Sequence, residues 1–213
     1  MKLYGRRSSS NCQKVLWFLA ELGLEYEFVA KGGDAGGLEE ASYLTLNPNG
    51  KVPTWEDRNG AVWESHTILR YLAAEYGSAR WWPRKPSARS QVDRWMDWSQ
   101  SSLDEGFMRL FWAYWRTPER KRSEEAIARY LADCRSAVNT LDRVLSEQPY
   151  LAGRRFSLAD VPAGSLIYRF TRLDITDDLP NAVSDWYERL TQRSSYRTHV
   201  MIPFDDLKGR LAF

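Results

Sequence analysis

The chain has 213 residues, of which 43% are hydrophobic, so it can fold as one large domain or two small ones around a buried core. Thirty Lys and Arg residues against 28 Asp and Glu residues give a net charge of +2 with no long run of one sign, which argues against nucleic-acid binding. The longest apolar runs, 15–20 and 110–115, have six residues, too few for a membrane span or a signal-peptide core.

The few cysteines and histidines bear on location and on metals. Cys12 and Cys134 lie far apart, match no metal-ligand spacing and cannot form a disulfide framework. We therefore expect a reducing compartment, the cytoplasm. His66 and His199 have no metal-ligand neighbours in the sequence, so we expect no bound metal.

Short strand-like and helix-like segments alternate over the first 76 residues. Asn59-Gly60 predicts a tight hairpin turn between the last two strands, because this dipeptide supplies the positive φ angles that such a turn demands. The order β, α, β, α, β, β, α predicts a small four-stranded mixed sheet with helices on its faces. The predicted strands are 2–4, 26–30, 54–57 and 61–63. The first predicted helix ends at Gly23, the second ends at Leu46, and the third runs over 65–76.

The pattern changes after residue 77, where glycine, proline and tryptophan interrupt it. Apolar residues then recur at helical spacing, which predicts an all-helical second domain. We expect domains at 1–77 and 87–213, joined by a linker at 78–86. The predicted helices are 90–115, 124–145 and 183–190, with Cys134 in the core.

A helix start is predicted at Phe156 to Val161. The Ser157 hydroxyl can cap a backbone N–H there, while the Asp160 carboxylate reaches back in the manner of a capping box. We interpret Asp160 as a stabilising residue and not as a catalytic one.

Three segments carry the chemistry. Residues 8–14, Ser-Ser-Ser-Asn-Cys-Gln-Lys, join the first strand to the first helix, where N–H groups and the helix dipole favour an anion, although one serine could equally serve as the helix cap. Residues 47–53, Asn-Pro-Asn-Gly-Lys-Val-Pro, end in a rigid Val-Pro bond. Residues 64–68, Glu-Ser-His-Thr-Ile, put an acid and a hydroxyl at the mouth of another helix.

Together these segments resemble those of the cytosolic glutathione S-transferases, of the serine-type theta-like or zeta-like or the bacterial nu-like kind. The resemblance covers nearly the whole chain and implies a thioredoxin-like first domain and a helical second one. It implies that Ser9 donates a hydrogen bond to the glutathione sulfur and favours the thiolate, jointly with Asn11, which matches an asparagine of nu-like members. Ser10 is a close alternative to Ser9 for the contact with the sulfur, because a one-residue error in the predicted helix start would exchange the directions of the two side chains.

The resemblance also implies the glutathione contacts. Val52 and the cis-proline Pro53 would pair with the cysteinyl part like an added strand, and Lys51 would help to bind the glycyl carboxylate. Glu64 and Ser65 would hold the γ-glutamyl end. Lys14 lies one turn into the helix and is expected to be a solvated surface lysine without a role at the sulfur.

Aromatic residues are concentrated on the predicted helix 90–115. In the family this helix faces the glutathione sulfur, so an apolar wall there is expected to bind a hydrophobic electrophile. Most of these rings could instead belong to the core or to a dimer interface. For the pocket we choose Phe111, Trp112 and Trp115.

The resemblance implies a homodimeric enzyme that activates the glutathione thiol for attack on a small hydrophobic electrophile, in detoxification. Glutathione is then the co-substrate, and no metal is needed. A serine at position 9 favours conjugation over thiol exchange, because a hydroxyl can only polarise another molecule's sulfur. Two alternatives remain open: a glutathione-dependent disulfide or peroxide reductase, and a non-catalytic binding module of the same fold.

Overall fold

A four-stranded mixed sheet forms the core of the first part of the chain. The computed structural model describes residues 1–176 and 178–211. The strands are β1 (Lys2–Gly5), β2 (Glu27–Ala30), β3 (Thr54–Asp57) and β4 (Gly60–Trp63), in the order β2-β1-β3-β4. β1 runs parallel to β2 and antiparallel to β3, and β3 runs antiparallel to β4. The mixed sheet predicted from the sequence is confirmed.

Helices cover the sheet and form the rest of the described chain. None of those in the described ranges has both the length and the apolar character of a bilayer-spanning helix. The α-helices are α1 (Ser10–Leu22), α2 (Ala41–Leu46), α3 (Ser65–Glu75), α4 (Pro86–Trp98), α5 (Glu105–Leu110), α6 (Glu124–Leu145), α7 (Asp160–Phe170), α8 (Asn181–Thr191) and α9 (Ser194–His199). Short 3₁₀ turns lie at Gly33–Ala35, Glu119–Lys121 and Asp205–Leu207.

Helix α1 is the centre of the molecule. It contacts α3 beside the sheet and α7 and α9 in the second domain, so nine of its 13 residues are buried. Ser9 caps its first turn, and Gly23 ends it with a left-handed φ of 64° that suits glycine. The site at the mouth of this helix is therefore held by both domains.

The hairpin between β3 and β4 is confirmed, but its turn differs from the prediction. The two residues between the strands are Arg58 and Asn59, and neither has a positive φ; Gly60, the first residue of β4, has a φ of 112°. The Asn59 N–H donates to Asp57 Oδ1 at 2.8 Å, which stabilises a turn without Asn59 in the left-handed region.

The predicted long helix is one continuous rod with two changes of winding. It begins at Pro86, which was assigned to the linker, because proline suits the first helical position, where no N–H is needed. α4 and α5 are separated by a π-helical stretch at Ser99–Asp104, and a second one at Phe111–Arg116 ends the rod.

The start of α7 confirms Asp160 as a stabilising residue that reaches back to the Ser157 N–H, but the Ser157 hydroxyl donates to Asp160 Oδ2 at 3.2 Å and does not cap a backbone N–H as predicted. Asp160 is fully buried and accepts hydrogen bonds from the backbone N–H groups of Leu151 and Ser157, both at 2.9 Å, and from Trp186 Nε1 at 3.0 Å. Burial raises the pKa of Asp160 to about 6, although these donors favour the ionised form. Cys134 is buried as predicted.

Candidate active site

Ser9 stands at the amino end of α1 with extended backbone angles. Its Oγ accepts a hydrogen bond from the Cys12 N–H at 3.4 Å. A hydroxyl has one donor and two acceptor positions, so the capping contact leaves the Ser9 O–H proton available for another acceptor. The cap role and the predicted sulfur contact are therefore compatible in one residue.

Asn11 is held in one orientation by two donors. Its Oδ1 accepts hydrogen bonds from Lys14 Nζ at 3.0 Å and from Ser65 Oγ at 3.3 Å. Because the side-chain oxygen is engaged, the Nδ2 amide is the group left to donate to a ligand. Asn11 is exposed, so a ligand at the helix mouth can reach that amide.

The interpretation of Lys14 as a solvated surface lysine is wrong. Lys14 is fully buried, with Nζ in an ion pair with Asp104 of the second domain and 3.3 Å from His66 Nε2. Burial, reinforced by the charges of Lys14 and Arg70, lowers the pKa of His66 to about 2, so His66 is neutral. The prediction failed because helical spacing shows which face a residue occupies but not that a second domain covers this face.

The loop before Pro53 is fixed by hydrogen bonds to a single carbonyl. The Lys51 carbonyl accepts from Tyr43 Oη at 2.6 Å and from Asn47 Nδ2 at 2.9 Å. The Val52-Pro53 peptide is cis, as the resemblance implied. Within the described part of the chain, the backbone N–H and C=O of half-buried Val52 make no hydrogen bond, so they are free to pair with an extended peptide.

Glu64 has strained backbone geometry. Its φ of 67° and ψ of 119° lie where side-chain-bearing residues are rare, and such strain costs about 1–3 kcal/mol. It places Ser65 at the first position of α3, where the Ile68 N–H donates to the Glu64 carbonyl at 2.9 Å. Ser65 is buried, whereas the Glu64 side chain is exposed. Strain of this kind is concentrated at functional sites.

A cavity of about 410 Å³ opens at the mouth of α1 between the two domains. A larger depression of about 830 Å³ lies beside the end of α6, but it does not touch α1. From the predicted set this cavity brings together Ser9, Asn11, Lys51, Val52, Phe111 and Trp112. Its other lining residues, missed in the sequence, include Arg6, Met108, Arg116, Arg169 and Leu207.

The other predicted residues lie outside that lining. Pro53 follows Val52 in the chain, and Ser65 reaches the site through its hydrogen bond to Asn11. Trp115 is turned away, because its Nε1 donates to the Phe204 carbonyl at 3.3 Å and its ring packs against the Phe204 ring. It lines a separate cavity of about 130 Å³.

Neither cysteine is placed for chemistry. Cys12 is fully buried against Gly5, and burial raises its pKa to about 11; burial also raises the pKa of Cys134 to about 12. A thiol must be ionised and accessible to act as a nucleophile. In the described residues no cluster of three or more potential metal ligands occurs.

Comparison with known proteins agrees with this geometry. The family model "Glutathione S-transferase, N-terminal domain" matches residues 1–74, and "Glutathione S-transferase, C-terminal domain" matches residues 124–189. The chain belongs to the glutathione S-transferase family. GstB, a glutathione S-transferase of Escherichia coli K12, is 35% identical to this transferase over 203 residues, covering 94% of this chain and 98% of GstB.

Solved structures and a further relative refine the comparison. The theta-class glutathione S-transferase of Xanthomonas axonopodis pv. citri, solved with glutathione bound, is 42% identical with a TM-score of 0.88 and covers 95% of this chain and 97% of that one. The disulfide-bond oxidoreductase YfcG of E. coli K12 is 27% identical over 190 residues, covering 86% of each chain.

Proposed function

We propose that this transferase binds glutathione with its sulfur at the mouth of α1 and activates the thiol for attack on a hydrophobic electrophile. The observation that carries the proposal is the pair of donors there, the Ser9 hydroxyl and the oriented Asn11 amide, which both line the cavity. Lowering a thiol pKa from about 8.5 to between 6 and 7 needs about 3 kcal/mol. One or two hydrogen bonds to a charged sulfur, at about 1.5–3 kcal/mol each, supply this without a general base.

The rest of the glutathione molecule fits the neighbouring groups. The unpaired backbone of Val52 can bind the cysteinyl unit, and the exposed Lys51 ammonium can bind the glycyl carboxylate. The amino end of α3 at Ser65 can bind the γ-glutamyl carboxylate, and the Glu64 carboxylate its ammonium. Phe111 and Trp112 provide the apolar wall against which an electrophile would lie.

A glutathione-dependent disulfide or peroxide reductase is the second candidate. The likeness to YfcG and the presence of Asn11 favour it. Because both cysteines are buried, such a reaction would have to use glutathione sulfurs alone and not a mixed disulfide with the protein. A purely non-catalytic module is disfavoured by the intact Lys51, Glu64 and Ser65.

We further propose a cytoplasmic homodimer that acts in detoxification, with domains at 1–77 and 87–213 and a linker at 78–86, of which Pro86 is already the first residue of α4. Light scattering would give the dimer mass if the proposal is right and the monomer mass if it is not.

The function is tested by two measurements on the purified protein. The ultraviolet absorbance of the thiolate, followed against pH, should show a bound glutathione pKa between about 6 and 7. Turnover should be faster with an aryl halide than with hydroxyethyl disulfide or cumene hydroperoxide. Faster turnover of the disulfide or the peroxide would favour the reductase. The absence of both glutathione binding and turnover would favour the non-catalytic module.

A further inference from the structure

The described lining of the cavity at the mouth of α1 has cationic but no anionic side chains. Four cationic side chains line it, and no Asp or Glu is present among its described lining residues. The cationic residues are Arg6, Lys51, Arg116 and Arg169. A surface that only had to hold an apolar, neutral electrophile would not need the buried Arg169, because a buried guanidinium carries a desolvation cost.

Arg169 is the most informative of these residues. It lies on α7 and is 2% exposed. One of its terminal nitrogens donates to the Ser8 carbonyl at 2.6 Å and to Gln13 Oε1 at 3.2 Å, whereas its buried Nε has no hydrogen-bond partner. No described carboxylate lies within ion-pair distance; Asp206 and Asp104 act on it only from farther away.

The charge of Arg169 is retained in spite of this burial. Burial, with the nearby Arg6, lowers the pKa of Arg169 to about 10, so the side chain is still a cation at neutral pH. A buried cation is ordinarily paired with an anion, because an unpaired one is costly. The geometry of the described chain therefore leaves a place for an anion that comes from outside it.

Aromatic rings adjoin the guanidinium groups. Arg169 Cζ lies 5.5 Å from the centre of the Phe111 ring and 5.1 Å from that of Phe204. Arg116 Cζ lies 4.4 Å from the centre of the Trp112 ring. A ligand with a flat apolar body and a carboxylate would match both features, since its ring can pack on Phe111 and Trp112 while its carboxylate meets a planar guanidinium.

Glutathione does not account for all of this charge. In the proposed binding mode its glycyl carboxylate goes to Lys51 and its sulfur to Ser9 and Asn11, which leaves the buried Arg169, beside the Phe111 ring, without an anion. We propose that the electrophilic co-substrate carries a carboxylate, and that Arg169 binds it. This inference rests on the proposed transferase function and names the substrate class of the same site.

The matching reaction on an aryl chloride is a substitution. The glutathione thiolate forms a bond from sulfur to the ring carbon that bears the chlorine, the carbon–chlorine bond breaks, and chloride leaves with its electron pair. The thiol proton has already gone to solvent. The carboxylate takes no part in the bond changes and serves only to position the ring.

Two probes of nearly the same shape test the inference: 4-chloro-3,5-dinitrobenzoate and the neutral 4-chloro-3,5-dinitrobenzamide. Arg169→Gln should lower kcat/KM for the benzoate about tenfold to a hundredfold, which is the range for loss of a hydrogen bond between charged groups. The same variant should change kcat/KM for the benzamide less than about threefold. Arg169→Lys should recover part of the benzoate rate. Arg129→Gln, which removes an exposed arginine of α6, should change neither.

An equal loss with both probes would overturn the inference, because it would show that Arg169 acts on the thiolate or on the Ser8 loop. If Arg169→Gln does not fold, the wild-type protein gives a second test. Unreactive benzoate should inhibit turnover of the neutral probe, in competition with it, at least about tenfold better than benzamide; equal inhibition would overturn the inference. Turnover of 4-chloro-3,5-dinitrobenzamide requires no carboxylate and therefore tests the proposed transferase function by itself. A failure of that function can thus be distinguished from a failure of the carboxylate inference.

Discussion

Replacing Lys14 by methionine tests the buried ion pair that joins the two domains. Methionine has nearly the length of lysine and no charge, so Lys14→Met removes the ammonium without opening a large cavity. The change takes a hydrogen-bond donor from Asn11 and His66 and leaves Asp104 without its cation. We expect it to destabilise the fold and to release the Asn11 amide from its fixed orientation.

The magnitude follows from burial. Breaking one side of a buried ion pair costs about 3–5 kcal/mol when both charges are fully enclosed. Lys14 is fully buried, but the Asp104 side chain is 16% exposed and can be hydrated in the variant, which brings the expected loss to about 3 kcal/mol. Lys121→Met, at an exposed position, should change the free energy of unfolding by less than about 0.5 kcal/mol.

Urea denaturation at neutral pH measures these values. A double-mutant cycle with Asp104→Asn isolates the pair, and the two changes should couple by about 1–3 kcal/mol. A loss of less than about 1 kcal/mol for Lys14→Met, or simple additivity of the two changes, would refute the account of this contact.

Further predictions concern the sulfur, the peptide, the buried histidine and the α7 cap. Ser9→Ala should raise the pKa of bound glutathione by about one to two units in the thiolate absorbance titration, with binding nearly intact; an unchanged profile would shift the role to its neighbours. Glu64→Ala should weaken glutathione binding about tenfold in calorimetry, and unaltered affinity would exclude its contact with the ammonium. The pKa of His66 is about 2 in the folded protein, against its ordinary value of 6.5. Between pH 2 and pH 6.5 this histidine is therefore protonated in the unfolded chain but not in the folded protein. Stability should therefore fall by about 1.4 kcal/mol per pH unit below about pH 6.5, and His66→Gln should lose that slope in urea denaturation between about pH 7 and pH 5. Asp160→Asn should cost about 3 kcal/mol in thermal denaturation, because it sets an amide N–H₂ among buried donors; a smaller loss than about 1 kcal/mol would contradict this role.

The order of elements could be read from the sequence because the signals are local. Apolar spacing, Gly23 and the helix start at Asp160 act within one turn of chain, and the structure agrees with each. The positions of Ser9, Asn11 and Val52 follow from the same local signals, since Ser9 caps α1, Asn11 lies in its first turn and Val52 lies in the loop before β3.

Contacts between distant segments could not be read in this way. The burial of Lys14 depends on Asp104, which lies 90 positions away, and Arg169 meets the Ser8 loop across 161 positions. Trp115 was chosen for the pocket from the aromatic residues of the predicted helix 90–115, and this choice could not show that its indole donates to the Phe204 carbonyl, 89 positions away.

A structure of this transferase with glutathione bound tests the central claim most directly. We predict the sulfur at hydrogen-bond distance from the Ser9 hydroxyl or the Asn11 amide, with the cysteinyl backbone paired to Val52. A sulfur beyond the reach of every side chain between positions 8 and 12 would contradict it.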